Sequence, residues 1–230
     1  MTVELHDVTK RYGSIAALDG VSLTFEVGKI YGVLGANGSG KSTLLKLIAG
    51  LAKPDHGEVT VAGMPVSRRT ASVVSYLTEL DFFYPNFTAG QYIEFHASQF
   101  ADFNRDKAIE MLAFMKLDDR KKVRTMSIGN RGRLKLVLAL SREAPVILLD
   151  EPFSGLDVMV RESIVRCLLS SIDFERQMVI MATHEIEEIE NILDEVILIK
   201  DGEIISKENV EDLRESSGKS VVGWLKGHHS

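Results

Sequence analysis

Eight residues, GANGSGKS at positions 35–42, restrict this chain's fold more than any other stretch. They satisfy G-x-x-x-x-G-K-[ST] in full, and Thr43 follows. The glycines let the backbone bend until successive N–H groups face inward at phosphate oxygens, and a helix behind the loop adds the positive end of its dipole. Gly35, Ala36, Asn37, Gly38, Ser39, Gly40 and Thr43 are therefore expected to cradle a nucleoside triphosphate. Lys41 would reach the β- and γ-phosphates, and the Ser42 hydroxyl would ligate Mg²⁺. The flanks agree. KIYGVLG, before the loop, is continuously apolar, as a strand covered on both faces should be, and the residues after it continue as an amphipathic helix.

Elsewhere the hydrophobic period changes twice. VELHDV and VSLTFEVG alternate apolar and polar residues, as half-buried strands do, and EVTVAG and SVVSYL add further strands. From TAGQYIEFHASQF through NRDKAIEMLAFMKL to RGRLKLVLALSRE the spacing becomes helical, with Thr88 and Asn104 placed as N-caps. Residues 88–142 thus read as a helical lobe inserted into an α/β core. PVILLD and MVIMAT return to buried strands, EVILIKDGEIIS reads as a hairpin turning at Asp201 and Gly202, and GLDVMVRESIVRCLLSSI and EIEEIENILDE read as helices. The expected fold is a P-loop NTPase core with a mixed β-sheet, an N-terminal antiparallel β subdomain and an inserted α-helical lobe, all in one domain over residues 1–230.

VILLDEP ends an apolar strand in two acids. Neighbouring side chains of a strand point to opposite faces, so Asp150 and Glu151 are given different tasks. P-loop enzymes use the first acid after the buried strand for the metal, which assigns Mg²⁺ to Asp150 and leaves Glu151 as the general base or water-positioning group. MVIMATHE brings His184 to another strand end. A histidine there is either structural or, beside a γ-phosphate, a donor to phosphate or water.

Composition excludes several classes. The net charge of −6 argues against the broad phosphate-neutralising surface of a nucleic-acid binder. Cys167, the one cysteine, reads as a small buried hydrophobe and fits a reducing compartment. No run is long and apolar enough to cross a bilayer, and MTVELHDVTKRYG lacks a signal-peptide pattern, so a cytosolic chain reaching the membrane through a partner is expected.

Over residues 2–213 the motifs together resemble the nucleotide-binding subunit of an ATP-binding cassette (ABC) transporter, in the family's order. RYG places Tyr12 at the aromatic that stacks on adenine. GANGSGKST matches the Walker A loop, VILLDEP the Walker B strand and SGLD, ending at Asp157, the D-loop; His184 matches the switch histidine. The resemblance implies ATP and Mg²⁺ as cofactors, hydrolysis oriented by Glu151 and His184, and residence at the cytoplasmic face of the membrane through integral-membrane permease subunits. It also implies a head-to-tail pair with a second nucleotide-binding subunit, identical or related, in which a signature segment binds the γ-phosphate held by the other subunit. No nucleic acid is expected as a partner.

The family's signature is usually L-S-G-G-Q. Here it reads Met126, Ser127, Ile128, Gly129, Asn130, so the serine and second glycine remain and the first glycine and the glutamine do not. Phosphate binding through Ser127, Gly129 and the helix dipole needs neither lost side chain, and Ile128 costs backbone freedom only if its position requires φ > 0. Glu79 stands where the family commonly has a glutamine, and it can still ligate Mg²⁺ or water through oxygen. These features are similar to the ABC-2-type exporter branch, particularly YtrB-like ATPases. A degenerate ATP-binding partner and a non-transport cassette ATPase are the rival readings. Phe82, Phe83, Tyr84 and Phe87 are either a docking surface for the membrane subunits or packing at the lobe junction. The tail, residues 214–230 with Trp224, is either a short helix contacting a partner or a loosely ordered end.

Overall fold

The computed structural model describes residues 1–156, 158–187, 189–217 and 220–228. In chain order the strands are β1 (Thr2–Tyr12), β2 (Ile15–Glu26), β3 (Ile30–Leu34), β4 (His56–Val61), β5 (Met64–Pro65), β6 (Val74–Leu77), β7 (Val146–Asp150), β8 (Met178–Thr183), β9 (Glu195–Lys200) and β10 (Glu203–Asn209). The helices are α1 (Lys41–Ile48), α2 (Ala89–Gln99), α3 (Arg105–Phe114), α4 (Ile128–Leu140), α5 (Val158–Ser171), α6 (Val210–Ser217) and α7 (Val221–His228).

Two sheets result. An antiparallel one runs β2-β1-β4-β5, and a six-stranded one runs β10-β9-β3-β8-β7-β6. In the second, β9, β3, β8, β7 and β6 are parallel and β10 pairs antiparallel with β9, which makes it the mixed sheet that the sequence implied.

The parallel strands are apolar on both faces because both are covered. Ile30, Leu34, Ile147, Leu149, Val179 and Met181 face one core, which α2 to α5 close. Tyr31, Val33, Leu148, Ile180 and Ala182 face the other, closed by Leu44, Leu45, Leu47 and Ile48 of α1 and by Val3, Leu5 and Phe25 of the antiparallel sheet. The phosphate-loop helix is thus clamped between two sheets.

Local chemistry sets the boundaries. Thr88 caps α2 in a capping box with Gln91, and the Asn104 side chain accepts from the Lys107 N–H at the start of α3. Asp201 and Gly202 alone join β9 to β10, with φ of 51° and 86°. Positive φ at both central residues defines the type I′ turn that Asp-Gly favours.

One expectation fails. Residues 185–195 do not form a helix among the described residues; they turn, with the Glu190 N–H donating to the Ile186 carbonyl, and Glu195 already opens β9. Ile186, Ile189 and Leu193 imitate helical spacing but are buried separately in the core, and the acids between them give no opposite-charge i,i+4 pairs to support a helix. The tail, read as either a short helix contacting a partner or a loosely ordered end, is helical over Val221–His228, and that helix turns inward. Val221 and Trp224 of α7 pack into the core with Val210 and Leu213 of α6. His229 and Ser230 lie outside the described residues. Cys167 is buried on α5 as expected, and no described helix is long and apolar enough to cross a membrane.

Candidate functional site

Four segments leave the carboxyl ends of adjoining parallel strands: the phosphate loop after β3, Glu79 beyond β6, Glu151 after β7 and His184 after β8. Open parallel sheets bind their ligands at that edge. Asn37, Lys41, Ser42, Glu79, Glu151 and His184 meet there around a cavity of about 430 Å³.

Two of the loop's three glycines are required by close backbone approach. A Cβ on Gly35 would lie 2.2 Å from the Ile199 carbonyl oxygen, and one on Gly40, at φ 114°, would lie 2.4 Å from that of Ala17. The Gly202 N–H donates to the Ser39 carbonyl at 3.0 Å, and the Gly202 carbonyl accepts from the Asp19 N–H at 2.9 Å. The β9–β10 hairpin tip is therefore wedged between the phosphate loop and the antiparallel sheet. Gly40 caps α1 without a side-chain hydrogen bond, and the buried Ser39 hydroxyl has no partner, so donors at this helix start remain for an anion.

Lys41 is buried with its Nζ donating to the carbonyls of Gly35 at 2.8 Å and Ala36 at 3.1 Å. The Ser42 hydroxyl donates to Asp150 Oδ1 at 2.9 Å, and the Tyr76 hydroxyl to Oδ2 at 3.0 Å. Burial pushes the Asp150 carboxyl above its ordinary range, against the pull of these two hydrogen bonds, and the same burial beside a carboxylate raises the Tyr76 phenol. A serine hydroxyl and a carboxylate are hard oxygen donors. They fit Mg²⁺, which takes few protein ligands and completes its shell with water and substrate phosphates.

Glu151 departs from the alternation argument. It stands outside the strand at φ 47°, which turns its carboxylate back to the cavity instead of leaving it on the face opposite Asp150. Its N–H, donating to the Ala182 carbonyl at 2.9 Å, fixes that unusual backbone. Oε1 lies 3.7 Å from Lys41 Nζ, and Oε2 lies 3.0 Å from His184 Nδ1.

Four expected site residues lie elsewhere or undescribed. Tyr12 stands half exposed on the β1–β2 hairpin, with Lys10 Nζ 5.5 Å from its ring centre, and the cavity wall on that side is Ala17. Ser127 and Gly129 sit at the start of α4, outside the wall. The Ser127 Oγ accepts from the Asn130 N–H at 3.2 Å as an N-cap. Ile128, 69% exposed, opens α4 without a positive φ, so replacing the family's glycine there strains nothing. Asp157 lies outside the described residues.

The sequence reading missed Tyr76, whose only signal is a hydroxyl-bearing ring in an otherwise apolar run. It also missed Arg131 and Lys135, one helical turn apart in RGRLKLVLAL. Lys135 Nζ donates to the carbonyls of Thr78, Glu79 and Leu80 at 3.3, 2.8 and 3.2 Å, and Arg131 Nε to Asp81 at 2.5 Å. Helix α4 thereby holds the loop at residues 78–81. Phe83 and Phe87 pack against the core, whereas Phe82 and Tyr84 are exposed beside a second, apolar cavity of about 380 Å³ at the lobe junction.

A family model described as ABC transporter matches residues 18–154. YcbN of Bacillus subtilis (strain 168), an uncharacterized ABC transporter ATP-binding protein, is 32% identical over 92% of this chain and 71% of its own length. The Nod factor export ATP-binding protein I of Burkholderia orbicola (strain AU 1054) is 33% identical over 89% of this chain and 70% of its own. The ABC transporter ATP-binding protein YtrB of Bacillus subtilis is 27% identical over 93% and 74%. Among solved structures, the post-hydrolysis dimer of the ATP-binding cassette MJ0796 bound to ADP and Pi matches with a TM-score of 0.80 and 27% identity, over 90% of this chain and 98% of that one.

Proposed function

The chain belongs to the ABC transporter ATP-binding family, and from that premise we propose that it hydrolyses ATP in a head-to-tail pair of cassettes to power export through separate integral-membrane subunits. One observation carries the reading. Lys41, Ser42, Asp150, Glu151 and His184 converge on one cavity edge, while Ser127 lies outside that cavity at the start of its own helix. A site built this way is complete on one side and awaits a phosphate-binding helix from a second subunit on the other.

The chemistry follows from the contacts. An entering triphosphate offers oxygens that replace the Gly35 and Ala36 carbonyls as acceptors for Lys41. The loop N–H groups and the start of α1 hold the phosphates. Ser42 and Asp150 are the residues that would hold Mg²⁺, which supplies positive charge against the developing negative charge on the phosphoryl oxygens. Glu151 orients a water and accepts its proton as the water oxygen bonds to the γ-phosphorus. The bond from that phosphorus to the β–γ bridging oxygen breaks, giving ADP and inorganic phosphate. His184, paired with Glu151 Oε2, keeps that carboxylate aimed. Ser127, whose Oγ already accepts from Asn130, keeps its own O–H to donate to the γ-phosphate of the facing subunit. Tyr12, exposed on the β1–β2 hairpin, remains the adenine-facing candidate, and Glu79 a polar wall residue open to Mg²⁺ or its water.

Force leaves the site through the strap of Lys135 and Arg131 on residues 78–81. The exposed Phe82 and Tyr84 beside the lobe-junction cavity support a docking surface for the membrane subunits, with the chain at the cytoplasmic face. The kinship with a Nod factor export protein supports export as the direction.

The test is light scattering on Glu151→Gln with and without ATP, repeated with Ser127→Arg added. An ATP-dependent dimer that the arginine abolishes supports the reading. A monomer in saturating ATP would mean that this chain does not complete its own site with a second copy.

A further inference from the structure

We propose that Tyr76 is a positioning residue for Mg²⁺: its hydroxyl holds one oxygen of Asp150 so that only the other faces the metal end of the site, which favours Mg²⁺ over Ca²⁺. The inference rests on the reading that Asp150 holds the metal.

Three observations carry it. The Asp150 carboxylate has its two oxygens divided between two donors, Ser42 at Oδ1 and Tyr76 at Oδ2, at 2.9 and 3.0 Å. Ser42 is the phosphate-loop hydroxyl, so Oδ1 is the oxygen on the nucleotide side. Tyr76 approaches from a neighbouring strand whose register is fixed, with Tyr76 opposite Leu148 and Leu77 opposite Leu149 in the β6–β7 pairing. The phenol is therefore anchored by backbone pairing and does not depend on a mobile loop. Its ring forms part of the lobe-junction cavity wall, while its hydroxyl reaches the carboxylate.

The physical consequence lies in denticity. Ca²⁺ tolerates a carboxylate bound through both oxygens, whereas Mg²⁺ demands a small, near-octahedral shell with single-oxygen donors and retained water. A carboxylate with one oxygen already engaged is restricted to the second mode. Partners that orient a metal-ligating carboxylate in this way typically change metal affinity about 10–100-fold when removed.

The experiment measures binding, with turnover left aside. Affinity for a fluorescent ATP analogue is titrated against Mg²⁺ and against Ca²⁺ in the intact chain, in Tyr76→Phe and in Asp150→Asn. Tyr76→Phe should bind the metal-free analogue as the parent does, yet need about tenfold more Mg²⁺ for its metal-dependent gain, with the Ca²⁺ requirement rising by less than about threefold. An unchanged Mg²⁺ requirement in Tyr76→Phe, with a raised one in Asp150→Asn, would overturn the proposal while leaving Asp150 as a metal holder. If Asp150→Asn also left it unchanged, the underlying reading would fall instead. Equal increases for both ions would overturn the selectivity. Leu77→Ala loosens the same strand without touching Asp150, so it should lower the melting temperature and leave the Mg²⁺ requirement in place. If it raised that requirement as much as Tyr76→Phe does, the effect would be strand packing and the proposal would fail.

Discussion

His184 Nδ1 lies 3.0 Å from Glu151 Oε2, so the histidine of one strand end braces the carboxylate of the next. Glu151→Gln keeps the shape of that contact but removes the proposed base. Phosphate release should fall about 10²–10⁴-fold while ATP affinity stays within about twofold of the parent. His184→Ala should lose less, because it removes the brace and leaves the acid. A His184→Ala chain hydrolysing at the parental rate would make the histidine structural.

Lys41 donates to the Gly35 and Ala36 carbonyls, which phosphate oxygens replace in the proposed ATP-bound state. Lys41→Ala should weaken ATP binding at least tenfold, about 1.4 kcal/mol, in calorimetric titration. An affinity near the parent's would mean that the backbone amides alone carry the phosphate.

Ile128 begins α4 in a backbone conformation open to any residue. Restoring a glycine there should leave turnover within about twofold and cost about 0.5–1 kcal/mol in urea unfolding, since glycine is the poorer helix former. A tenfold gain in turnover would instead identify the isoleucine side chain as a brake on closure.

Lys135 satisfies three consecutive carbonyls from inside a partly buried setting, and burial lowers its pKa. Lys135→Met should destabilise the chain by about 1–2 kcal/mol, measured by urea unfolding, because those acceptors lose a charged donor. The same variant in the assembled transporter should hydrolyse ATP but lose its response to transported substrate.

His96 is packed 5.7 Å, centre to centre, from both Phe100 and Phe103. Burial, and secondarily the Arg142 charge, pushes its pKa down from 6.5 to about 4. The fold accommodates the neutral ring, so this contribution is complete above pH 6.5 and is lost as the pH falls toward 4, by up to about 3 kcal/mol. The urea midpoint should drop across that window, and His96→Phe should flatten the drop. A parental chain with the same acid response as His96→Phe would exclude the histidine as the cause.

The residues that were legible in the sequence are those whose chemistry dictates type and spacing locally. The glycines of the phosphate loop, the Asp201-Gly202 turn and the caps at Thr88 and Asn104 all belong to this class, because each answers to a backbone angle or an unsatisfied N–H nearby. Tyr76 and Lys135 were not legible. One meets a carboxylate 74 positions away, and the other meets carbonyls 55 to 57 positions away, which carry no side-chain signature. The run from 185 to 195 misled for the converse reason. Ile186, Ile189 and Leu193 have helical spacing, but each is drawn into the core from a turn.

The wedge that the β9–β10 tip drives against the phosphate loop also bears on how the chain is made. β3 lies between β8 and β9, and the Ser39 carbonyl meets the Gly202 N–H, so the loop read first from the message is braced by residues read more than 160 positions later. At about 5–20 residues per second, that interval on the ribosome lasts on the order of 10 s or more. A growing chain thus carries its phosphate-loop sequence for seconds before the residues that brace it have been made.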